Sequence, residues 1–192
     1  SCVRAADFDN DGDLDLFIEG RVDPWNFPTP VSCFIYRNDS KNGKVHFTDV
    51  TKTVAPSLLK IGMVCDGNWS DFDNDGWLDL VIAGEWMPVR LLHNDHGTLV
   101  DITPNSGIGD LLGWWNSIVP GDFDNDGDID YVVGNLGLNS FYRATKEHPL
   151  TVSAKDFFNR CSVQCIMTQY FKDTVGGAWK QFTSNNRDDI IE

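Results

Sequence analysis

Three nine-residue segments carry the residues best suited to chemistry. They share the pattern Asp-Phe-Asp-Asn-Asp-Gly-x-apolar-Asp and span residues 7–15, 71–79 and 122–130. Each places carboxylates at positions one, three, five and nine, and glycine at position six permits the tight turn that brings alternate carboxylates towards one point. Hard oxygen ligands in this number suit Ca²⁺ better than Zn²⁺ or copper. The sequence therefore predicts three calcium-binding loops.

The seventh position of the loop varies in type, since it holds Asp13, Trp77 and Asp128. The ligand there is predicted to be the backbone carbonyl, as in the EF-hand loop. The EF-hand glutamate at position twelve is missing, because the three copies have Ile18, Ile82 and Val133 there. Each loop thus closes at its ninth residue and leads into an apolar segment, which indicates a loop flanked by strands.

Catalytic use of the clustered carboxylates is the alternative, because such clusters also serve acid–base and two-metal chemistry. The clusters recur in separate repeats, and a loop that saturates its own cation leaves little coordination for a substrate, so a structural role is favoured. No nucleophile elbow or phosphate-binding loop motif is present. His93 and His96 suggest a metal pair, but they fall at a predicted hairpin turn and are interpreted as solvated turn residues.

The composition limits the classes of partner. The chain has 192 residues, 41% of them apolar, and a net charge of −14, which fits a globular protein and excludes a basic nucleic-acid surface. The acidity also disfavours an anionic membrane, and no apolar run is long enough for a transmembrane helix. The three loops hold 14 of the 29 acidic residues, so three Ca²⁺ ions would bring the net charge to −8.

The five cysteines show no metal-binding spacing and no CxxC pair. Most are interpreted as small buried apolar residues, and a disulfide remains open. Because Ser1 and Glu192 each fall within a repeat unit, the chain is interpreted as part of a longer protein.

Short apolar strands must position the loops. Strands are predicted after each loop, leading into the second and third loops, and between these, at residues 14–19, 32–37, 45–50, 63–70, 78–83, 89–93, 98–103, 116–121 and 129–133. Four strands per unit of 50–60 residues, with loop starts 64 and 51 residues apart, show no sustained helical period. One four-stranded sheet cannot cover both of its faces, so such units stack around an axis as β-propeller blades.

A fourth, degenerate copy of the loop is predicted at residues 156–164. It keeps the residue types of the first, second, fourth and eighth positions, but it loses three carboxylates and the glycine. Predicted strands at residues 150–155 and 166–171 flank it. The sequence predicts a blade without a metal ion there.

Three Asp-x-Asp-x-Asp-Gly-x-x-Asp loops at this spacing resemble the FG-GAP/VCBS repeats of integrin-α-type β-propellers. Tyr36-Arg37-Asn38-Asp39, the Asp-apolar-Thr strand ends and the segment 134–139 resemble, more narrowly, secreted proteins related to cartilage acidic protein, which carry an ASPIC/UnbV module. The resemblance implies an all-β fold of four-stranded antiparallel blades, with three to four blades of a seven-bladed propeller in this chain. The predicted blades span 1–56, 57–104, 105–149 and, incompletely, 150–192.

The resemblance also implies three structural Ca²⁺ ions held by the first, third, fifth, seventh and ninth residues of each loop. The implied ligands are Asp7, Asp9, Asp11, Asp13 and Asp15; Asp71, Asp73, Asp75, Trp77 and Asp79; and Asp122, Asp124, Asp126, Asp128 and Asp130, with positions 13, 77 and 128 contributing carbonyl oxygens.

The function implied is that of a non-enzymatic binding or adhesion module that is secreted, periplasmic or on the cell surface. Its partner is expected to be an extracellular protein or carbohydrate, without nucleic acid binding or membrane insertion. The alternative is an accessory propeller of a larger secreted carbohydrate-active enzyme, and thrombospondin-type calcium arrays, whose loops lie much closer together, are a weaker hypothesis. Ligand platforms are considered at the tryptophans Trp25, Trp86, Trp114, Trp115 and Trp179, although packing between blades also uses aromatic residues.

Overall fold

The computed structural model describes residues 2–157 and 163–184, in which most of the regular secondary structure is β-strand. The chain divides into two units. The first comprises Ser1–Val22 and Pro30–Asn135, and the second comprises Asp23–Thr29 and Leu136–Glu192. Within the described residues, no helix has the length and apolar character needed to cross a membrane.

The first sheet of the first unit contains four consecutive antiparallel strands in chain order. They are β1 (Val3–Ala6), β2 (Asp15–Ile18), β3 (Phe34–Asn38) and β4 (Phe47–Asp49). The first acidic loop connects β1 to β2. A single helical turn, α1 (Thr51–Val54), and a 3-10 turn at Pro56–Leu58 follow β4.

The second sheet repeats this arrangement with β5 (Met63–Ser70), β6 (Asp79–Met87), β7 (Arg90–Asn94) and β8 (Leu99–Asp101). The second loop connects β5 to β6. After a 3-10 turn at Thr103–Asn105, the hairpin of β9 (Gly113–Gly121) and β10 (Asp130–Asn135) holds the third loop. The start of β9 also pairs with the end of β6, at Glu85 and Met87.

Strand β6 is buried on both of its faces, which explains its apolar sequence. Leu80 and Ile82 point into a core shared with Phe17 and Ile35 of the first sheet. The alternate residues Val81 and Ala83 point to the other face, where they pack against Ile118 and other residues of the β9–β10 hairpin. The sheets of the first unit therefore stack face to face, as blades do.

The second unit contains a three-stranded antiparallel sheet. Its strands are β11 (Thr151–Lys155), β12 (Gln164–Lys172) and β13 (Trp179–Thr183), and a 3-10 turn at Gly137–Asn139 comes before them. The degenerate loop copy lies between β11 and β12, but residues 158–162, including Cys161, lie outside the described residues.

The predicted all-β class is confirmed, and each of the eleven predicted strands overlaps an observed one. Strands β1 and β13 were not predicted. The third repeat differs from the first two, because only β9 and β10 are found among its described residues. After Asn135 the sequence has a Gly-Leu-Asn turn, and the alternating apolar pattern of an outer strand is missing.

Candidate metal centres

The backbone takes the same path in all three loops. The fourth residue is an asparagine in the left-handed region, with φ of 58° at Asn10, 59° at Asn74 and 62° at Asn125. The sixth residue is a glycine with φ of 96°, 90° and 97° in the three copies. Asparagine and glycine are the residues that adopt positive φ at least cost. The fixed Asn-x-Gly spacing is thus a conformational requirement of the loop.

The first carboxylate braces the loop from inside. Asp7 accepts hydrogen bonds from the backbone N–H groups of Asp11 (3.1 Å) and Gly12 (3.0 Å). Asp71 and Asp122 accept the equivalent pairs at 2.8–3.2 Å. Each carboxylate oxygen has a further lone pair, so these bonds leave the first position able to bind a cation.

The ninth carboxylate connects the loop to the sheet. Asp15 and Asp79 are almost fully buried, and each accepts one N–H from position two of its own loop. Each also accepts the N–H of an asparagine in the neighbouring strand of its sheet, Asn38 of β3 at 2.8 Å or Asn94 of β7 at 2.7 Å. The asparagine side chain has a separate shared role, because its Oδ1 accepts a backbone N–H of the following turn, from Ser40 at 3.1 Å or Gly97 at 2.8 Å. Asp130 of the third loop is exposed and accepts the Phe123 N–H at 3.2 Å.

Carboxylate oxygens converge in every loop. Three groups have ligand atoms within 4.8 Å of one another, namely Asp7–Asp9–Asp15, Asp71–Asp73–Asp75 and Asp122–Asp124–Asp130. The fifth-position carboxylates of Asp11, Asp75 and Asp126 each accept the N–H of position seven, at 2.8–3.1 Å. Of the predicted carbonyl donors, Trp77 packs its ring 5.1 Å from that of His96, and Asp128 accepts a bond from Asn74.

The buried and closely spaced carboxylates of the first loop favour a bound cation. The Oδ1 atoms of Asp9 and Asp13 are buried without a hydrogen-bond partner. Burial, with help from neighbouring acidic groups, raises the pKa of Asp9 and Asp13 above the ordinary value and that of Asp15 to about 6. Burial likewise raises the pKa of Asp79 in the second loop. An oxygen-rich donor set with unpaired buried carboxylate oxygens fits Ca²⁺.

His93 lies against the second loop. Its Nδ1 is 3.2 Å from both Asp79 Oδ1 and Asp73 Oδ2, and only 27% of its side chain is exposed. The interpretation of His93 as a solvated turn residue is therefore wrong. It lies in β7, and the strand alternation turns it towards the carboxylates. His96, in contrast, lies exposed in the turn beside Asp95.

The three loops contact each other in series. The fourth-position Asn10 donates to the Gly76 carbonyl (3.3 Å), and Asn74 donates to Asp128 Oδ1 (3.1 Å). Asn94 is fully buried and donates to Phe8 O in the first loop (2.8 Å) and Leu78 O in the second (2.9 Å). Sequence reasoning missed this role of Asn94, whose only signal was the recurrence of Asn-Asp.

The cysteines of the described residues form no disulfide with one another. The four cysteines in the described residues, Cys2, Cys33, Cys65 and Cys165, are free, and Cys33 is fully buried.

Trp86 and Trp114 pack with ring centroids 5.3 Å apart, and Trp115 packs against the core at Ile118. In the second unit, Trp25 is exposed and Trp179 stacks on His148. A ligand platform at these residues stays a prediction.

Comparison with protein-family models matches residues 71–133 to the FG-GAP-like repeat family. The match begins at the first carboxylate of the second loop and ends within β10, so it contains the second and third loops and strands β6–β9 between them. The first loop lies outside the match but has the same φ angles and the same internal hydrogen bonds. A search of curated proteins finds no match to the chain.

Proposed function

We propose that this chain, which contains an FG-GAP-like repeat, is a calcium-stabilised binding module with no catalytic activity of its own. The observation that carries the proposal is the set of three loops with one conformation, each of which brings three carboxylates together. In the first loop, the buried Oδ1 of the third-position residue Asp9 has no hydrogen-bond partner within the protein. The ions would bind the first, third, fifth and ninth side chains and the seventh carbonyl of each loop.

The role proposed for the ions is structural. Each loop joins two neighbouring strands, and its ninth carboxylate is bonded to the sheet in the first two copies. Like charges about 4 Å apart repel by roughly 1–4 kcal/mol per pair, depending on the local dielectric. A cation that removes this repulsion keeps the strands in register.

The stabilisation expected from calcium is substantial. Extracellular calcium modules have dissociation constants of about 10⁻⁴–10⁻³ M. At the tighter limit and about 1 mM Ca²⁺, each site adds about 1.4 kcal/mol, so three sites add roughly 4 kcal/mol. That is a large share of a typical unfolding free energy of about 5–15 kcal/mol.

A non-enzymatic role is favoured because the loop carboxylates already accept hydrogen bonds from the backbone of their own loop. The first, fifth and ninth positions all accept backbone hydrogen bonds, and a bound ion would take the remaining lone pairs. Little coordination would be left for a substrate. The proposed activity is binding or adhesion outside the cytoplasm, with an extracellular protein or carbohydrate as partner, and the relation to cartilage-acidic-protein-like proteins belongs to the same proposal.

A thermal unfolding experiment tests the calcium claim. The matched variant carries Asp9→Asn, Asp73→Asn and Asp124→Asn, which remove one third-position charge from each loop and leave the bracing first position intact. Wild type is expected to melt at a higher temperature in millimolar Ca²⁺ than in chelator, whereas the variant melts at the same temperature in both. An unchanged wild-type melting temperature in excess chelator would refute structural calcium.

The binding role is tested separately. The chain is screened against immobilised glycans and extracellular matrix proteins in Ca²⁺ and in chelator, with the triple variant as control. Calcium-dependent capture that the variant loses supports the proposal. Turnover of a captured polysaccharide by the chain alone would show instead that it is an enzyme.

A further inference from the structure

A second kind of metal-binding cluster lies away from the acidic loops. Cys2, Glu19 and Asp66 offer one sulfur and two carboxylate oxygens that all lie within 4.8 Å of one another. Glu19 follows β2, at the opposite end of that strand from the first loop. A strand of four residues spans about 13 Å, so this cluster is separate from the calcium loops.

The three side chains are held in place by the surrounding backbone. The N–H of Cys2 donates to Glu19 Oε2 (3.2 Å), and the N–H of Glu19 donates to the Cys2 carbonyl (3.1 Å). Asp66 accepts the N–H of Gly67 at Oδ1 (3.0 Å) and that of Ile118 at Oδ2 (2.9 Å). The cluster therefore joins β1, the end of β2, β5 and β9 at one point.

One oxygen of this cluster lacks a donor. Glu19 is only 2% exposed, and its Oε1 is buried without a hydrogen-bond partner. Leaving a buried charged oxygen unpaired is costly, so such an atom marks a place where a cation or a donor is missing. This observation is independent of the proximity of the three ligands.

The charges of the cluster balance with a divalent cation. Arg4 donates to Asp66 Oδ1 at 2.6 Å and offsets one carboxylate. A Cys2 thiolate, Glu19 and Asp66 carry three negative charges, so with Arg4 the net charge is −2. Asp66 has about four lone-pair sites and uses three of them for Arg4, Gly67 and Ile118, which leaves one for a metal.

We propose that Cys2, Glu19 and Asp66 bind a zinc-type divalent cation, with water as a further ligand. A thiolate among carboxylates favours Zn²⁺ over Ca²⁺, and Zn²⁺ commonly takes three protein ligands and one water. Tetrahedral Zn–S and Zn–O bonds place the ligand atoms about 3.4–3.6 Å apart, so the three ligand atoms, which now lie within 4.8 Å of one another, would move to that spacing on binding. Binding releases the Cys2 thiol proton to solvent.

The chain provides a matched control in a neighbouring cluster of the same residue types. Cys65 Sγ lies 3.6 Å from Glu85 Oε1, and Arg21 donates to that same oxygen at 2.8 Å. Here the arginine satisfies the buried carboxylate, and the described residues supply no third ligand to this pair. Cys65→Ser therefore removes a comparable thiol and keeps all three proposed ligands, Cys2, Glu19 and Asp66.

The test is a titration with Cd²⁺, a spectroscopic probe for Zn²⁺ sites, in millimolar Ca²⁺ and in reductant. Wild type and Cys65→Ser are expected to show the ultraviolet band of a cadmium–thiolate bond, saturating at one equivalent. Cys2→Ser and Glu19→Gln should lose it or bind at least about 100-fold more weakly, because removing even an outer partner of a ligand costs 10–100-fold.

A Zn²⁺ competition experiment with a chromophoric chelator gives the second readout. Zn²⁺ should displace Cd²⁺ from wild type and raise its melting temperature, with no such rise in Cys2→Ser. The proposal is overturned if wild type shows no thiolate band, or if the band survives in Cys2→Ser and disappears in Cys65→Ser.

Discussion

Asn94 should be among the most costly polar residues to remove from the first unit. Its side chain donates to two backbone carbonyls, Phe8 O and Leu78 O, and accepts the N–H of Gly97 at 2.8 Å. Truncation in Asn94→Ala leaves these groups without partners. An unpaired buried group costs about 1–3 kcal/mol, and Phe8 is the most deeply buried of the three, so we expect a loss of about 3–5 kcal/mol.

The equivalent residue of the first sheet provides the control. Asn38 also donates its backbone N–H to a ninth-position carboxylate, a bond that survives truncation in both variants. Its side chain accepts one bond, from the N–H of Ser40 at 3.1 Å, so Asn38→Ala should cost about 1 kcal/mol. The comparison isolates the two bonds that Asn94 donates, of which the bond to Phe8 O connects the second repeat to the first.

The assay is urea unfolding at saturating Ca²⁺, followed by tryptophan fluorescence. With a denaturant slope of about 2 kcal/mol/M, the midpoint of Asn94→Ala should fall by about 2 M and that of Asn38→Ala by about 0.5 M. Equal shifts in the two variants, or no shift in Asn94→Ala, would refute the claim that Asn94 connects the first two repeats.

Three further predictions concern the loops. Asn74→Ala removes the bond from Asn74 to Asp128, so it should uncouple the second and third loops and reduce the cooperativity of calcium binding. Asn125→Ala introduces the same backbone strain at positive φ and should leave the cooperativity unchanged. Calcium titrations of both variants test this. Burial raises the pKa of Asp15 in the folded chain from 3.8 to about 6. In chelator, protonation of Asp15 should therefore stabilise the fold below about pH 4, and this stabilisation should disappear as the pH rises through about 6. The melting temperature of wild type should fall over this pH range, and that of Asp15→Asn should lack this fall. Gly76 has φ of +90° and open space around it, so Gly76→Ala should weaken calcium binding and cost about 1–2 kcal/mol of stability. In Gly84→Ala the new Cβ would lie 2.5 Å from Met63 O, so this variant should destabilise the sheet and leave calcium affinity unchanged. Calcium titration should therefore rank Gly76→Ala as the more damaging variant, and unfolding should rank Gly84→Ala as the more damaging.

The sequence predicted the loops and most strands because both follow local rules. The Asp-x-Asp-x-Asp-Gly spacing is a conformational requirement, and the apolar alternation around it reports which strand faces are buried. Strand β1 (Val-Arg-Ala-Ala) has one large apolar residue, and every residue of β13 is exposed, so neither has an apolar pattern strong enough to be recognised.

Long-range contacts were not predictable from the sequence. His93 looked like a turn residue because Asn94-Asp95 follows it, yet β7 brings it to the second loop across 14 residues or more of chain. Asn94 reaches Phe8 over 86 residues, and Asp66 reaches the backbone of Ile118 over 52. Such pairs depend on how the sheets stack, which a local pattern does not encode.

The central claim is that the three loops bind calcium, and a calorimetric titration of the chelator-treated chain tests it most directly. Wild type should bind three Ca²⁺ ions per chain, and the variant with Asp9→Asn, Asp73→Asn and Asp124→Asn should bind none with comparable affinity. Circular dichroism of the variant in chelator should match that of wild type in chelator. A wild-type titration that gives only the heat of dilution at millimolar Ca²⁺ would contradict the account.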